Sequence, residues 1–364
     1  SLNREYILVI NPGSTSTKVA LFREGKSIKQ YNISHPKEEL EKYERVTDQF
    51  DYRKEMILQW LESEEIGLEN ITAVVARGGL LRSIPGGTYM VTEAMIEDLR
   101  IGIQGEHASN LGGIIAKSIG DSQGIPSFIV DPVAVDEFED VARISGMPEL
   151  PRKSLVHALN IKAVARRAAM DLDKALEDIN LVIAHLGGGI SIVPLKRGRI
   201  IDVNNANDGG PFSPDRAGTL PVGDIVRMCY SGKYTLDDLK KKIIGKGGLI
   251  AYLGTNDARE IEKKIQMGDQ RADFIYDAMA YQISKEIGAM ATVLNGDVQA
   301  IVLTGGLAYS KILCDRIRRR VEFIAPLFIY AGEDEMTALA EGAQRVISGE
   351  EKAKIYEEEV ELKI

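Results

Sequence analysis

Two segments of this chain share one layout, and they begin about half a chain apart. ILVINPGSTSTKVALF starts at residue 7 and LVIAHLGGGISIVPLKRGRI at residue 181 of 364. Each has an apolar run, a turn of glycines or hydroxyl side chains, and a second apolar run, the pattern of a β-hairpin. ITAVVARGG (71–79) and AIVLTGG (300–306) then each end an apolar strand in two glycines. The repetition predicts an internal duplication at the scale of a domain.

Apolar segments of helical and of strand length alternate outside the two hairpins. Helices are expected at 53–63, 93–103, 108–119, 155–171, 258–266, 272–294 and 337–347, and strands at 127–131, 200–203 and 327–331. Such alternation is typical of α/β folds with largely parallel pairing. Two prolines interrupt the periodicity at 146–154. We therefore expect one domain of residues 1–150 plus 337–364 and a second domain of residues 151–336.

The charge balance limits the classes of partner. The net charge is −9, and the one basic cluster, at residues 316–320, is interpreted as a solvated helix end. Nucleic acid is therefore not an expected partner, because a phosphate backbone requires clustered Lys and Arg. No apolar run reaches the ~18 residues of a membrane span and no signal-peptide pattern opens the chain, so we expect a cytoplasmic protein. Cys229 and Cys314 have apolar neighbours, and both are expected to be buried thiols.

The turn of the first hairpin, NPGSTSTK, carries groups that suit a phosphate. Gly13 is expected to permit a backbone conformation that a larger residue would resist, and a glycine turn at a strand end exposes backbone N–H groups. The hydroxyls of residues 14–17 can donate hydrogen bonds, and Lys18 adds a cation. The spacing of a P-loop is absent. The alternative is an ordinary hairpin turn with an exposed lysine.

Three of the four histidines lie at turns or helix starts beside other polar groups: His107, His157 and His185. A histidine near its neutral pKa can orient or neutralise a phosphoryl group during transfer. The alternative is that each is a structural histidine with satisfied hydrogen bonds. His35 precedes a proline and is interpreted as a surface loop residue.

Asp131 ends the predicted strand SFIVD, and ligands of open α/β sheets gather at the carboxyl ends of strands. It is a candidate magnesium anchor, with a helix N-cap as the alternative. Arg77 and Arg216 each lie in a loop rich in glycine or proline, where a guanidinium can bridge a carboxylate or a phosphate. The alternative is that each of these two arginines is an ordinary exposed surface residue.

These positions together resemble the acetate, propionate and butyrate kinase family, within the actin-like ATPase and sugar kinase superfamily. The likeness is collinear over nearly the whole chain and is closest to the butyrate kinase branch, through Pro12 and Thr15 in the opening signature. The segments that carry it are, in order, ILVINPGSTSTKVALF, VVARGG, FIVDP, VHALN, AHLGGG, DRAGTLP, GTNDARE, VLTGGLAYS and GEDEMTALAEGA. The resemblance implies two duplicated actin-like, ribonuclease H-like domains with a nucleotide cleft between them.

The resemblance also implies roles for named residues. Those that face the phosphoryl group would be Asn11, Ser14, Ser16 and Lys18. Arg216 would stabilise its charge and contact the acyl substrate, and His157 would stabilise the transition state. Magnesium would be held by Asp131 and by the acidic pair Asp334 and Glu335. Which acid of that pair corresponds to the family's glutamate depends on a shift of one residue in the alignment. The nucleotide would be lined by His185, Gly187, Gly188, Gly189, Asp257, Arg259, Gly305 and Gly306.

Two positions depart from the family pattern. Arg77, a further catalytic candidate, stands where acetate kinases have a histidine before Gly-Gly, and Gly188 replaces an asparagine. The implied reaction is reversible transfer of the ATP γ-phosphoryl group to a short-chain carboxylate, possible without a general base because a carboxylic acid with a pKa of about 4 to 5 is already ionised. The family implies ATP/ADP and Mg²⁺ as cofactors and a homodimer or an assembly of dimers. The alternatives are an acetate or propionate kinase and an actin-like regulatory ATPase.

Overall fold

A computed structural model describes residues 3–361 of the chain. The strands are β1 (Tyr6–Pro12), β2 (Ser16–Arg23), β3 (Lys26–Ser34), β4 (Ile71–Arg77), β5 (Thr88–Met90), β6 (Ser127–Val130), β7 (Asn180–Leu186), β8 (Ile190–Lys196), β9 (Arg199–Ile200), β10 (Ala300–Gly305), β11 (Leu327–Ala331) and β12 (Lys354–Ile355). The α-helices are α1 (Lys37–Leu40), α2 (Phe50–Ser63), α3 (Glu93–Ile101), α4 (Asn110–Gln123), α5 (Ala158–Asp171), α6 (Val222–Cys229), α7 (Leu236–Ile243), α8 (Leu249–Leu253), α9 (Ala258–Gln266), α10 (Gln270–Val293), α11 (Lys311–Val321), α12 (Glu335–Ile347) and α13 (Tyr356–Glu361).

The chain forms two compact units. The first contains the described residues up to Asp136, residues 158–160 and the described residues from Asp334 onward. The second contains Glu137–His157 and Ile161–Glu333. The last helices therefore belong to the first unit, although they follow the second one in the chain.

The two units repeat one strand order. The first sheet runs β12-β5-β6-β4-β1-β2-β3 and the second β11-β10-β7-β8-β9. In each, an antiparallel hairpin (β1–β2 or β7–β8) pairs with a third antiparallel strand on one side and with two parallel strands on the other. The predicted α/β duplication is thereby confirmed.

Alternation along the first hairpin sends its side chains to two different cores. Leu8 and Ile10 pack in the core that includes residues of α2 and α4, and Ile7 and Val9 pack in the core that includes residues of α12. Asn11 continues the second set and so lies on the α12 face. In the second unit one large core surrounds α10, whose buried residues recur at helical spacing.

The sequence placed the break between domains after residue 150, whereas the segment 137–157 packs with the second unit. The reason is a buried ion pair: Lys162 Nζ lies 2.7 Å from Glu137 Oε1, and both side chains are 7% exposed. The same Glu137 oxygen accepts a hydrogen bond from the Ile200 N–H, and Arg152 is salt-bridged to Asp202. The predicted first domain also includes residues 1, 2 and 362–364, which lie outside the described residues.

Two side chains are placed differently from their predictions. His35 is buried, not a surface loop residue, because its Nε2 and the Thr17 hydroxyl are 2.8 Å apart and its Nδ1 contacts the Tyr52 hydroxyl. Cys229 is exposed at the end of α6, a helix in which no residue is buried, whereas Cys314 is buried as expected. An apolar neighbourhood in sequence did not distinguish a surface helix from a core helix.

The predicted strand 200–203 is reduced to Arg199–Ile200. Asn204 explains this, because its side-chain amide bonds the Ile192 N–H and the Ile190 carbonyl in place of a backbone ladder. In the basic cluster Arg316 is mostly buried and paired with Asp273, so only residues 318–320 form the basic last turn of α11. Among the described residues, no helix is both long and apolar enough to cross a membrane.

Candidate active site

The turn between β1 and β2 presents polar side chains on one face of the hairpin. Asn11 pairs with Lys18 in the ladder, and Ser16 lies two residues before Lys18, so the three side chains share the α12 face. Ser14 and Lys18 are exposed. The turn closes through a hydrogen bond of 2.7 Å from the Gly13 N–H to the Ser16 carbonyl. Hydroxyl, amide and ammonium donors thus meet at one strand end.

The prediction that Gly13 has an unusual backbone conformation is wrong. Gly13 is not among the residues with positive φ, and an added Cβ would meet only Ser16 atoms, the nearest at 3.5 Å. No contact among residues 3–361 therefore requires a glycine at this position. Its value lies in the open surface that it leaves above the turn.

A three-residue group joins the end of β1, the end of β4 and the start of α12. The Asn11 side-chain amide donates to Glu335 Oε2 at 2.8 Å, and Arg77 NH1 lies 3.4 Å from the same oxygen. Asn11 is buried, whereas Arg77 and Glu335 are partly exposed. Two donors on one carboxylate oxygen fix the position of that carboxylate.

The structure separates the roles of the two acidic residues at 334 and 335. Asp334 is the N-cap of α12: its carboxylate accepts from the Thr337 N–H at 3.1 Å and from the Thr337 hydroxyl at 2.6 Å. Glu335 is in the first helical turn and contacts Asn11 and Arg77. Asp334 therefore serves the helix, and Glu335 is the acid that faces the phosphoryl candidates.

Asp131 follows β6 directly and is 3% exposed. Its φ is +39°, a region that aspartate tolerates better than most residues. Its Oδ1 accepts from the Gly87 N–H at 2.7 Å, while its own N–H donates to the Gly87 carbonyl at 3.0 Å. No helix begins after it, so Asp131 is not an N-cap. The paired backbone holds a buried carboxylate at the carboxyl end of the sheet.

In the second unit two histidines stack. The rings of His157 and His185 are 4.6 Å apart with an interplanar angle of 22°. His185 is 4% exposed in β7, and burial, with His157 second, lowers its pKa to about 3. His185 is therefore neutral at physiological pH. Glu333 adds a carboxylate, and one ligand atom of each of the three residues lies within 4.8 Å of the others, a donor set that suits a borderline metal better than magnesium.

The glycine turn after β7 lies under an arginine. An added Cβ on Gly189 would be 2.7 Å from Arg216 NH1 and 2.8 Å from its guanidinium carbon. Arg216 NH1 also donates to Asn207 Oδ1 at 3.0 Å. Gly188 has no such neighbour, its nearest atom being Asp215 Oδ1 at 4.0 Å. Gly189 is therefore the position at which the absence of a side chain admits the guanidinium.

The second pair of glycines, at the end of β10, combines one tight and one open position. Gly305 has φ +86° and an added Cβ would lie 2.4 Å from the Leu186 carbonyl oxygen, so only glycine fits there. Gly306 has no atom within 4 Å of an added Cβ. Gly305 also exchanges backbone hydrogen bonds with Gly332. This turn brings β10 against β7 and leaves an open backbone surface beside it.

The remaining nucleotide candidates lie at the start of α9. Asp257 is the N-cap and accepts from the Arg259 N–H at 2.9 Å, and this backbone hydrogen bond lowers the pKa of Asp257. The Arg259 side chain is largely exposed. Both line a pocket of about 630 Å³ with four further residues of α9. Asp257 thus has a structural role that its motif did not indicate.

The structure therefore brings Asn11, Arg77 and Glu335 of the first unit together as one group, and joins Arg216 to the Gly187–Gly189 turn in the second. Asp257 and Arg259 lie apart on α9. The imidazole of His107 is hydrogen-bonded to the neighbouring Ser109 hydroxyl, 2.8 Å away, and to none of the predicted site residues in the described part of the chain.

Two residues were missed. Glu333 lies in the segment GEDEMTALAEGA, but only the next two residues, Asp334 and Glu335, were assigned to magnesium. Arg53 is fully buried under the β1–β2 turn and bonds its carbonyls. A signal for Arg53 existed: it occupies the first position of the buried stripe 53, 57, 60 and 61 of α2, which is helical spacing.

Comparison with known proteins gives matches over nearly the whole chain. The profile described as the acetokinase family matches residues 150–358. Two relatives are the probable butyrate kinase 2 of Caldanaerobacter subterraneus subsp. tengcongensis, 57% identical, and butyrate kinase 2 of Clostridium acetobutylicum, 56% identical. Each alignment covers 96% of this chain and 99% of the relative. These matches confirm the resemblance drawn from the motifs.

Among solved structures, the crystal structure of Porphyromonas gingivalis acetate kinase superposes with a TM-score of 0.76 at 21% identity. The superposition covers 94% of this chain and 100% of that one. At that identity the likeness establishes the fold alone. The predicted fold class, two duplicated actin-like domains, is confirmed.

Proposed function

Because the chain belongs to the acetokinase family, we propose that it acts as a butyrate kinase, transferring the γ-phosphoryl group of ATP reversibly to a short-chain carboxylate. The observation that carries the choice of acid is the 57% identity, over nearly the full length, with a protein named as a probable butyrate kinase. The products are an acyl phosphate and ADP. The P–O bond to ADP breaks and a P–O bond to the carboxylate forms, so atoms and charge balance.

The carboxylate acceptor simplifies the chemistry. It is already ionised at neutral pH, so no group of the chain needs to remove a proton from it. Catalysis then depends on positioning and on stabilising the negative charge of the transferring group. In the first unit Asn11, Ser16 and Lys18 supply donors on one face of the hairpin. Of the three, Asn11 is held in place by its hydrogen bond to Glu335, so its position needs little reorganisation when charge develops.

In the second unit we assign charge stabilisation to Arg216 and His157. The guanidinium of Arg216 is held by Asn207 and by the space over Gly189. His157 stacks on His185, and burial keeps the His185 ring neutral. His157 can therefore donate a hydrogen bond to the transferring group without two positively charged rings lying against each other. The open backbone at Gly306 and the turn at Gly187–Gly189 are assigned to the nucleotide.

Magnesium is the cofactor that the family implies, and the residues of the first unit suit it. Mg²⁺ prefers carboxylate oxygens and retains several waters. We assign Glu335 and Asp131 to it, because Asp334 is already used as the N-cap of α12. When bound, the ion neutralises phosphate charge. Asn11 and Arg77 hold the Glu335 carboxylate in place for that purpose.

We propose a homodimer or an assembly of dimers in the cytoplasm, where ATP is available. Helix α6 supports an assembly: among its residues and the one that follows, Val222, Val226 and Tyr230 are exposed, and Tyr230 is 88% exposed. An apolar surface of this kind commonly marks an interface with another protein chain.

The test measures magnesium-dependent acyl phosphate formation from ATP, trapped as hydroxamate, with acetate, propionate, butyrate, isobutyrate and valerate in parallel. We expect the highest kcat/KM with a four-carbon acid. Arg216→Ala should lower kcat by about 100- to 1000-fold, the loss of one charge-stabilising donor. A preference for acetate or propionate would move the chain to another branch of the family, and ATP hydrolysis without hydroxamate would indicate a regulatory ATPase.

A further inference from the structure

Arg53 is a buried cation without an acidic partner. Its residue is 0% exposed, yet no carboxylate among the described residues lies within ion-pair distance of it. Burial lowers the pKa of the guanidinium only to about 10, so it remains charged at neutral pH. An unpaired buried charge is costly, and it persists only where other polar groups compensate for it.

The compensating groups are the carbonyls of the β1–β2 turn. Arg53 NH1 donates to the carbonyls of Gly13 at 2.7 Å and Ser16 at 3.1 Å, and NH2 donates to the carbonyl of Ser14 at 3.2 Å. Arg53 Nε is held by Gln49 at 2.9 Å. The remaining turn carbonyl, that of Thr15, accepts from the backbone N–H of His35. All four consecutive carbonyls, 13 to 16, are therefore bonded.

The orientation of the carbonyls fixes that of the amides. In a planar trans peptide the N–H points opposite to the C=O of the preceding residue, and no cis peptide occurs among the described residues. Because the carbonyls of Gly13 and Ser14 point at Arg53, the N–H groups of Ser14 and Thr15 point away from it. Neither N–H has a hydrogen-bond partner within residues 3–361.

We propose that Arg53 is a positioning residue that builds an anion site from the backbone N–H groups of Ser14 and Thr15, with a phosphoryl oxygen of the nucleotide as its ligand. Successive N–H groups that converge on one side of a turn bind anions. The inference rests on the proposed function, because it names the ligand of the same turn. It adds a residue that does not touch the ligand and an electrostatic contribution from a positive charge behind the turn.

The experiment compares two ligands that differ only in their phosphates. Wild type, Arg53→Met and Arg53→Lys are titrated with ATP and with adenosine by calorimetry, with magnesium present. In Arg53→Met we expect the Kd for ATP to rise about 10- to 100-fold, the range for hydrogen bonds to charged groups, and the Kd for adenosine to stay within about twofold. Arg53→Lys keeps the charge but offers one nitrogen for three carbonyls, so its loss for ATP should be smaller.

The matched control is Lys162→Met, which removes another buried cation, one that is remote in sequence and paired with Glu137. It should lower thermal stability without changing the ratio of the two dissociation constants. A second readout is the ¹⁵N-labelled protein: pyrophosphate should shift the Ser14 and Thr15 amide resonances in wild type and not in Arg53→Met.

The inference is overturned if folded Arg53→Met binds ATP as tightly as wild type, or if its affinities for ATP and adenosine fall in parallel. If Arg53→Met does not fold, the same two titrations on Arg53→Lys decide. Failure of the proposed function is a separate outcome: a wild type that makes no acyl phosphate refutes the kinase, while the comparison of ATP with adenosine still tests Arg53, because it requires no turnover.

Discussion

Gly189→Ala should disable Arg216 without altering it. The new Cβ would be 2.7 Å from NH1 and 2.8 Å from the guanidinium carbon, so the guanidinium must move by about 0.7 Å to reach ordinary contact. Gly189 has no positive φ, so the backbone itself accepts alanine. A displacement near 1 Å costs about 100-fold in a catalysed rate, so we expect kcat to fall by about 10- to 100-fold.

The assay is the hydroxamate measurement on a double-mutant cycle of Gly189→Ala and Arg216→Ala. Since each tenfold change in rate is about 1.4 kcal/mol, the coupling free energy should be about 1.4 to 2.7 kcal/mol. Gly188→Ala is the matched comparison, because its Cβ would meet only Asp215 Oδ1 at 4.0 Å, and it should lose less. Equal losses from Gly189→Ala in the wild-type and Arg216→Ala backgrounds would refute the reasoning.

Three further predictions concern other residues. Glu335→Gln should lower kcat by about 100-fold or more. Asp334→Asn should keep kcat and lower the free energy of unfolding by at most about 1 kcal/mol, because asparagine also caps a helix. Chemical denaturation and the activity assay on both variants test this, and the opposite pattern would exchange the roles of the two residues. Lys162→Met removes the cation that is paired with the buried Glu137 carboxylate, so urea denaturation should show a loss of about 3 to 5 kcal/mol with kcat unchanged. Burial, and secondly Arg53, lowers the pKa of His35 to about 4, so the unfolded state binds more protons than the folded state between about pH 4 and 6.5. The free energy of unfolding should therefore fall as the pH drops from 6.5 toward 4. His35→Gln should flatten that slope, and an unchanged slope would show that His35 does not cause it.

The strand and turn signals of the sequence were sufficient for the duplication. The apolar runs at 7–10 and 181–184 are buried strands in the same position of two equivalent sheets, because glycine turns and alternation are local properties of the chain. Strand β3 was missed for an equally local reason. It is an edge strand with charged and polar residues, and its first seven residues are all exposed. It therefore has no apolar pattern.

The side-chain site was less predictable than the fold. The motifs located Asn11 and the acidic pair, but only the start of α12 shows that Asp334 caps the helix and Glu335 faces Asn11. Glu335 is 324 positions from Asn11, a separation over which sequence periodicity carries no register. His35 was misjudged and Arg53 was missed because their burial depends on the turn that they support, which is a tertiary property.

The first unit takes its final pieces from the end of the chain. Helix α12 completes a core with β1, β2 and β4, strand β12 pairs with β5, and the Tyr356 hydroxyl donates to Asp98. On a ribosome the second unit has its whole sequence before the first unit does, and it can fold as an insertion while β1 and β4 still lack their covering helix. The nascent protein therefore holds Asn11 and Arg77 without Glu335 until α12 has been synthesised, so this three-residue group forms only after the whole second unit has been made.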